Sequence, residues 1–471
     1  MIYLIKILKS ALFIISTCLL QLMYYSGTMF NRNIETEFKK WIKSPIRKPL
    51  IVRGARQVGK TSVIRKFGQE NFNQVIEVNL EKKDQLKVFD KAISVEDFLK
   101  RISIFFDKNA VPGKSLLFID EIQESKNIMK LLRFFSEEKP QLHIMAAGSL
   151  LEAKIDKSWS IPVGRIDYKY IYPMTFFEYL EAKKKTTLLE SLKNIKLRGP
   201  FDFEDMVIDL YRDYLIIGGM PEVVNSYINT GSYDEVKTIL NRLHTAYIDD
   251  IRKYSRSNSE NKYLEQVIEY GARVAGSLFK YENFGGSSYR SREMAQAVRT
   301  VEKVMLLRQA MAVSSNRLPI IPKPKRPKKM IWLDVGLVNF TNNAYKELIT
   351  GGYKGKIMEQ IVGQSLIAGG VHKQIELYYW AKNRAEGSAE VDFCIQHDSK
   401  LVGIEVKSGN ILKMRSLFSM GSSNRDIILV RISWDSLKVE TYRFSGRKYE
   451  LLSIPFYLVD RLPELIDQFI G

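Results

Sequence analysis

Gly54-Ala-Arg-Gln-Val-Gly59-Lys60-Thr61-Ser62 stands between a short apolar run, Pro49-Leu-Ile-Val-Arg53, and the helical pattern Val63-Ile-Arg-Lys-Phe67. Strand, glycine-bounded loop and helix in that order fit G-x-x-x-x-G-K-[ST]. In such a loop backbone N–H groups form an anion nest at a helix N-terminus. Gly54, Ala55, Arg56, Gln57, Val58, Gly59, Lys60, Thr61 and Ser62 are therefore expected to line a nucleotide. Lys60 is expected to reach the β- and γ-phosphates, and Thr61 to place its hydroxyl on Mg²⁺. ATP and Mg²⁺ are the implied cofactors, and a parallel α/β sheet is the implied fold.

Two further runs complete the expected site. Ser115-Leu-Leu-Phe-Ile-Asp120-Glu121 reads as a strand buried on both faces. Asp120 falls at its C-terminal end, where ligands bind in open α/β sheets, and is expected to hold Mg²⁺ through water. Glu121 is then placed to orient or deprotonate the attacking water. A third strand, His143-Ile-Met-Ala-Ala147, leads to Ser149, which either touches the γ-phosphate region or caps a helix from Leu150 onward.

At 471 residues the chain is long enough for two to four domains, and 45% hydrophobic residues can fill several cores. Its 72 basic against 53 acidic residues give a net charge of +19, which favours a polyanionic partner, nucleic acid or an anionic membrane surface. Cys18 and Cys394 are too few and too far apart for a disulfide framework or a zinc site. Lys6 and Lys9 precede an uncharged apolar run from Ala11 to Tyr25, the layout of a signal peptide or a marginal anchor. Met29 stands just before a plausible domain start, so an over-extended reading frame explains residues 1–29 equally. Because ATP is a cytoplasmic substrate, the expected location is cytoplasmic, with membrane contact only if residues 1–29 are translated.

Residues 201–260 read as helices interrupted at Gly218-Gly-Met-Pro221, and the pattern from Tyr263 to Asn316 is also helical with glycine and serine breaks. Ser291 to Lys303 reads as the second helix of a helix-turn-helix, carrying Arg292, Arg299 and Lys303. The following run, Arg317-Leu-Pro-Ile-Ile-Pro-Lys-Pro-Lys-Arg-Pro-Lys-Lys329, reads as a solvated basic loop or as a wing lying along phosphates.

Farther on, Gly355 to Leu366 reads as an amphipathic helix and Gln374 to Trp380 as a strand. Glu390-Val-Asp392-Phe-Cys-Ile395 and Leu401-Val-Gly-Ile-Glu405-Val-Lys407 flank a polar turn. Glu405 and Lys407 share one strand face, with Asp392 on the neighbouring strand. Two carboxylates and a lysine so arranged suit phosphodiester hydrolysis: Asp392 and Glu405 as Mg²⁺ ligands, Lys407 balancing charge or orienting water, Glu359 completing the site from its helix.

Arg53 to Thr61, Phe118-Ile-Asp-Glu-Ile-Gln123, Ala147-Gly-Ser-Leu150, Gly164-Arg165, Tyr172-Pro-Met-Thr-Phe-Phe-Glu178 and Gly218-Gly-Met-Pro221 together resemble the AAA-type P-loop ATPases of bacteria and archaea that carry a C-terminal nuclease-like domain. The C-terminal order is similar to the PD-(D/E)xK nuclease superfamily. The resemblance implies an AAA-type ATPase domain at 30–200, a helical linker at 201–260, a winged-helix-like region at 261–345 and a restriction-endonuclease-like α/β domain at 346–471. It also implies a charge-stabilising role for Arg165. The expected function is an ATPase coupled to a DNA-binding, nuclease-like C-terminal half, the alternative an ATP-dependent, non-catalytic DNA- or protein-binding switch with an inert nuclease-like domain. Expected partners are ATP and DNA, with self-association left open.

Overall fold

A computed structural model describes residues 29–149, 159, 164–197, 201–255, 257–344, 353–383, 388–409, 414–422, 424 and 426–471. The readings of residues 1–28 as anchor, leader or over-extension, and of a helix from Leu150, lie outside these. No helix among the described residues is long and apolar enough to cross a membrane.

The strands among the described residues form two sheets. The first contains β1 (Leu50–Arg53), β2 (Gln74–Asn79), β3 (Ser115–Asp120), β4 (His143–Gly148) and β5 (Asp167–Tyr170), ordered β2-β3-β4-β1-β5 and parallel throughout. Alternate side chains feed two cores. Val52, Phe118 and Met145 pack with Phe67 on one face; Ile51, Ile119 and Ala146 pack with Ile128 and Leu132 on the other. That two-sided burial is why β3 and β4 read as unbroken apolar runs. The order puts β4 between the strand that feeds the phosphate loop and the strand that ends in Asp120.

The second sheet contains β6 (Leu278–Phe279), β7 (Leu307–Val313), β8 (Lys328–Trp332), β9 (Tyr378–Ala381), β10 (Glu390–His397), β11 (Lys400–Val406), β12 (Ile428–Ser433), β13 (Lys438–Phe444) and β14 (Arg447–Pro455). Their order is β13-β14-β12-β11-β10-β9-β7-β8-β6. β7 and β8 form an antiparallel pair, and β7 joins β9 in parallel. The sheet therefore runs straight across the boundary expected between 345 and 346.

Helices Glu204–Ile217, Pro221–Thr230, Tyr233–Arg252 and Asn258–Gly271 connect the two sheets, and Ser291–Lys303 packs on the last of them. One apolar core extends from Ile34 to Ile466, so the two halves are packed together rather than strung on a linker. Backbone and side-chain bonds seal the contact: Tyr170 N donates to Val371 O at 2.9 Å, and Arg461 Nη1 donates to Leu192 O and Ile195 O, both at 2.9 Å.

Four sequence readings change. Leu307–Val313 is a strand, not part of a helical region, although Leu, Gln, Ala and Met favour helices; pairing on both edges overrides propensity. The strand predicted from Gln374 begins only at Tyr378. Helix Lys354–Ala368 is buried on most of its faces rather than amphipathic, because it lies between β8, β11 and the helix Val335–Asn342. Lys329, read as part of a solvated basic run, has a side chain only 1% exposed.

Candidate functional site

The phosphate loop is built on two left-handed residues, Gln57 at φ 62° and Gly59 at φ 93°. Gly59 has to be glycine for that backbone. Gly54 is needed for a different reason: a Cβ there would lie 2.5 Å from Ile171 O, the chain continuing from β5. Helix Lys60–Asn71 starts directly after the loop, and Gln57 is exposed at the loop tip. Lys60 is 6% exposed and folds into the loop, donating to Gly54 O at 3.1 Å and Ala55 O at 2.7 Å. Burial pulls its ammonium down to about 8, against the opposing charges of Glu121 and Asp120.

Thr61 Oγ1 donates to Asp120 Oδ2 at 3.0 Å. Burial and the adjacent Glu121 charge push the Asp120 carboxyl up to about 6. A half-buried hydroxyl facing a buried carboxylate is a hard-oxygen donor set, and it fits Mg²⁺. Glu121 adopts a left-handed conformation (φ 53°), which turns it out of the strand. Its carboxylate accepts from the Gln123 amide, and Ser149 Oγ lies 3.5 Å from Glu121 Oε2. The central position of β4 thus brings Ser149 to the acidic pair.

Several contacts on this loop had no sequence reading. Arg32 is buried and donates to Val58 O at 2.8 Å, to Tyr172 O at 2.6 Å and to Glu178 Oε1 at 3.0 Å. Arg56 pairs with Asp250 at 2.6 Å, and Tyr247 OH donates to Arg56 O at 2.9 Å, so helix Tyr233–Arg252 leans on the loop. The Gly218-Gly-Met-Pro221 turn, read as a helix breaker and a resemblance motif with no contact assigned, also reaches the loop: a Cβ on Gly59 would lie 3.6 Å from Pro221 Cγ. A lone arginine or proline carries no local signal of such contacts.

Arg165 is placed elsewhere. It is half exposed and pairs with Glu137 at 2.8 Å. It precedes β5, whose Asp167 lies opposite Leu50 at the amino end of β1, whereas the phosphate loop leaves the carboxyl end. Strand rise puts the two ends more than about 10 Å apart, so Arg165 does not face the loop of its own chain.

In the C-terminal sheet the residues singled out from sequence converge. Val406 N donates to Asp392 Oδ2 at 2.8 Å, and Lys407 Nζ donates to Glu405 Oε1 at 2.6 Å. Glu359 approaches from helix Lys354–Ala368 and meets Lys329 of β8, whose Nζ lies 2.6 Å from Glu359 Oε2 and 3.3 Å from Asp392 Oδ1. Gln360 fixes that register by bonding both ways to the Trp332 backbone, at 2.8 Å each. Burial, with the nearby Asp392 charge, pushes the Glu359 and Glu405 carboxyls up. Buried Glu405 Oε2 has no hydrogen-bond partner among the described residues. An orphaned carboxylate oxygen beside Asp392 fits a hard divalent cation.

Residues 46–180 match the family described as AAA domain. Residues 208–347 and 354–449 match two families described as domains of unknown function, DUF8612 and DUF4143. An uncharacterised protein of Methanocaldococcus jannaschii is 23% identical over 424 residues, 86% of this chain and 85% of that one. Among solved structures, the Thermotoga maritima RuvB Holliday junction branch migration motor is 15% identical, covering 63% of this chain and 93% of its own, with a TM-score of 0.29. The Aeropyrum pernix ORC1 protein in complex with DNA is 12% identical over 69% and 94%, with a TM-score of 0.31. Superpositions this loose carry no argument about what this chain binds. Strand order, phosphate loop and acidic pair agree with the family match, and residues 46–180 are an AAA-type P-loop ATPase domain.

Proposed function

We propose that the chain couples Mg-ATP binding and hydrolysis to a DNA-binding, nuclease-like C-terminal half. In the ATPase domain the loop amides and Lys60 hold the triphosphate, while Thr61 and Asp120 hold the metal. Glu121, oriented by Gln123 and Ser149, takes a proton from the attacking water. A metal held by Thr61 and Asp120 would supply neutralisation of the charge that develops on the phosphates.

The observation that carries the nuclease reading is the convergence of Asp392, Glu405, Lys407 and Glu359 from three separate elements. Asp392 and Glu405 would hold a divalent cation, which supplies an activated water and charge stabilisation. Lys407 orients Glu405. DNA contact is supported by Arg292, Arg299 and Lys303, all exposed on helix Ser291–Lys303, and by exposed Arg317, Lys323 and Lys325 in the loop between β7 and β8. The order helix, β6, helix, β7, basic loop and β8, with β8 between β6 and β7, supports the winged-helix reading. The cytoplasm, where ATP is available, is the proposed location.

The alternative is a switch with an inert nuclease-like domain. It is favoured by Lys329, which already neutralises Glu359 and Asp392. Plasmid incubated with the full chain, ATP and Mg²⁺ or Mn²⁺ separates the two. Metal-dependent cleavage lost in Lys407→Ala supports the nuclease; ATP-dependent DNA binding without cleavage supports the switch. ATP hydrolysis indifferent to DNA, with no DNA binding in any nucleotide state, sinks both.

A further inference from the structure

Lys329 has no place in the reaction outlined above, yet it is the most completely enclosed charge of the C-terminal cluster. Its ammonium has three acceptors for three protons: Glu359 Oε2 at 2.6 Å, Asp392 O at 3.2 Å and Asp392 Oδ1 at 3.3 Å. Glu390 stands 4.0 Å away, and the Phe393 ring centre lies 5.2 Å from Nζ. Helix Lys354–Ala368, clamped to β8 through Gln360, holds Glu359 in place against it.

Asp392 therefore has a carboxylate neighbour on either side. Toward Glu359, the space between the two carboxylates is filled by the Lys329 ammonium. A divalent ion shared by Glu359 and Asp392 would need oxygen distances of about 2.0–2.6 Å, which places it in the volume that Nζ occupies. Toward Glu405 the space is different: Oε1 is held by Lys407, while Oε2 is buried and unpartnered among the described residues.

We propose that Lys329 is a positioning residue that serves as a built-in cation at the Glu359–Asp392 position, so that the cluster takes one divalent ion, held by Asp392 and Glu405, and not two. Glu359 is then the partner of the lysine and not a metal ligand. This rests on the reading of Asp392 and Glu405 as a metal site.

The test is Mn²⁺ titration of the full nucleotide-free chain, with bound ions counted by electron paramagnetic resonance. Ions lost on Glu405→Gln define the C-terminal site and separate it from any held at Thr61 and Asp120. One ion is expected to be lost. Glu359→Gln is expected to keep that ion with affinity reduced by no more than about ten-fold, the lower range for a residue outside the ligand set. Lys329→Met is expected to gain a second ion. Loss of the ion in Glu359→Gln as complete as in Glu405→Gln, or two ions removed by Glu405→Gln, overturns the proposal. If Lys329→Met does not fold, the Glu359→Gln comparison decides alone. Equal counts in the wild type and Glu405→Gln remove the metal-site reading itself. In that case a gain of one ion in Lys329→Met still supports Lys329 as the resident cation, and no gain overturns it.

Discussion

The Asp334 carboxylate accepts the Gly219 amide at 2.7 Å, joining the end of the strand that carries Lys329 to the turn that rests on the phosphate loop. Asp334 is fully buried and also caps helix Val335–Asn342, accepting from Gly336 N at 3.0 Å and Leu337 N at 3.3 Å. Two residues after Gly219, Pro221 lies against Gly59. A single side chain thus links the nucleotide domain to the sheet that bears the carboxylate cluster.

Asp334→Ala leaves four buried N–H donors without their acceptor: the backbone amides of Gly219, Gly336 and Leu337 and the side-chain amide of Gln364. Each unsatisfied donor costs roughly 1–3 kcal/mol, so urea unfolding is expected to show a loss of more than about 3 kcal/mol. The variant is also expected to bind ATP more weakly, because the turn over Gly59 is released. A loss below about 1 kcal/mol with unchanged ATP affinity would mean that the link carries no load.

Lys60 stands inside its own loop with its ammonium on two carbonyl oxygens. On nucleotide binding those bonds are exchanged for stronger ones to phosphate. Lys60→Ala is expected to weaken binding of a fluorescent ATP analogue by about 100-fold, which corresponds to about 2.7 kcal/mol. Wild-type affinity in this variant would refute the nucleotide site.

Glu121→Gln keeps the shape of the side chain and removes its basicity. ATP binding is expected to persist while turnover falls by about 10²–10⁴-fold, the usual range for a lost general base. Gln123→Leu and Ser149→Ala, which lose only the bonds that orient Glu121, are expected to fall less. Phosphate release under saturating ATP reads all three; equal turnover in Glu121→Gln and wild type would assign the base elsewhere.

His143 begins β4 with its ring edge-on to Phe72 and Trp41. Burial, with Arg47 nearby, holds its imidazole down at about 4, below the ordinary histidine value of about 6.5. The unfolded chain therefore takes up the proton first, and this stability is lost as pH falls from about 6.5 to about 4. The loss is on the order of 3 kcal/mol. Asp120 and Asp334, raised to about 6, act in the opposite direction over the same range. The difference in unfolding free energy between wild type and His143→Phe isolates the histidine; a gap independent of pH would contradict the assignment.

The nucleotide half was legible because its chemistry is local. Lys60, Thr61 and the loop glycines lie within nine consecutive residues, and Asp120 and Glu121 end a strand whose apolar run announces it. The C-terminal cluster was legible in part, since Asp392, Glu405 and Lys407 belong to one hairpin and its exit. Lys329 was not. It lies in a run of basic residues and prolines, and nothing nearby in sequence distinguishes the one lysine that turns inward. Arg32, Asp250, Pro221 and Gln123 were missed for the same reason.

By itself the chain's sequence determined the strand–loop–helix that receives a triphosphate, the acidic strand beside it, and the order of carboxylates near the C-terminus. Each is a short-range pattern in which spacing along the backbone becomes spacing in space. Only the tertiary structure decided that β4 carries Ser149 between loop and acidic pair, that Arg165 stands at the far end of its sheet, and that β8 delivers an ammonium between Glu359 and Asp392. Those placements depend on which strands pair and which helix packs on them. Such contacts join residues far apart in the chain, and they are selected by burial and hydrogen bonding across the whole fold.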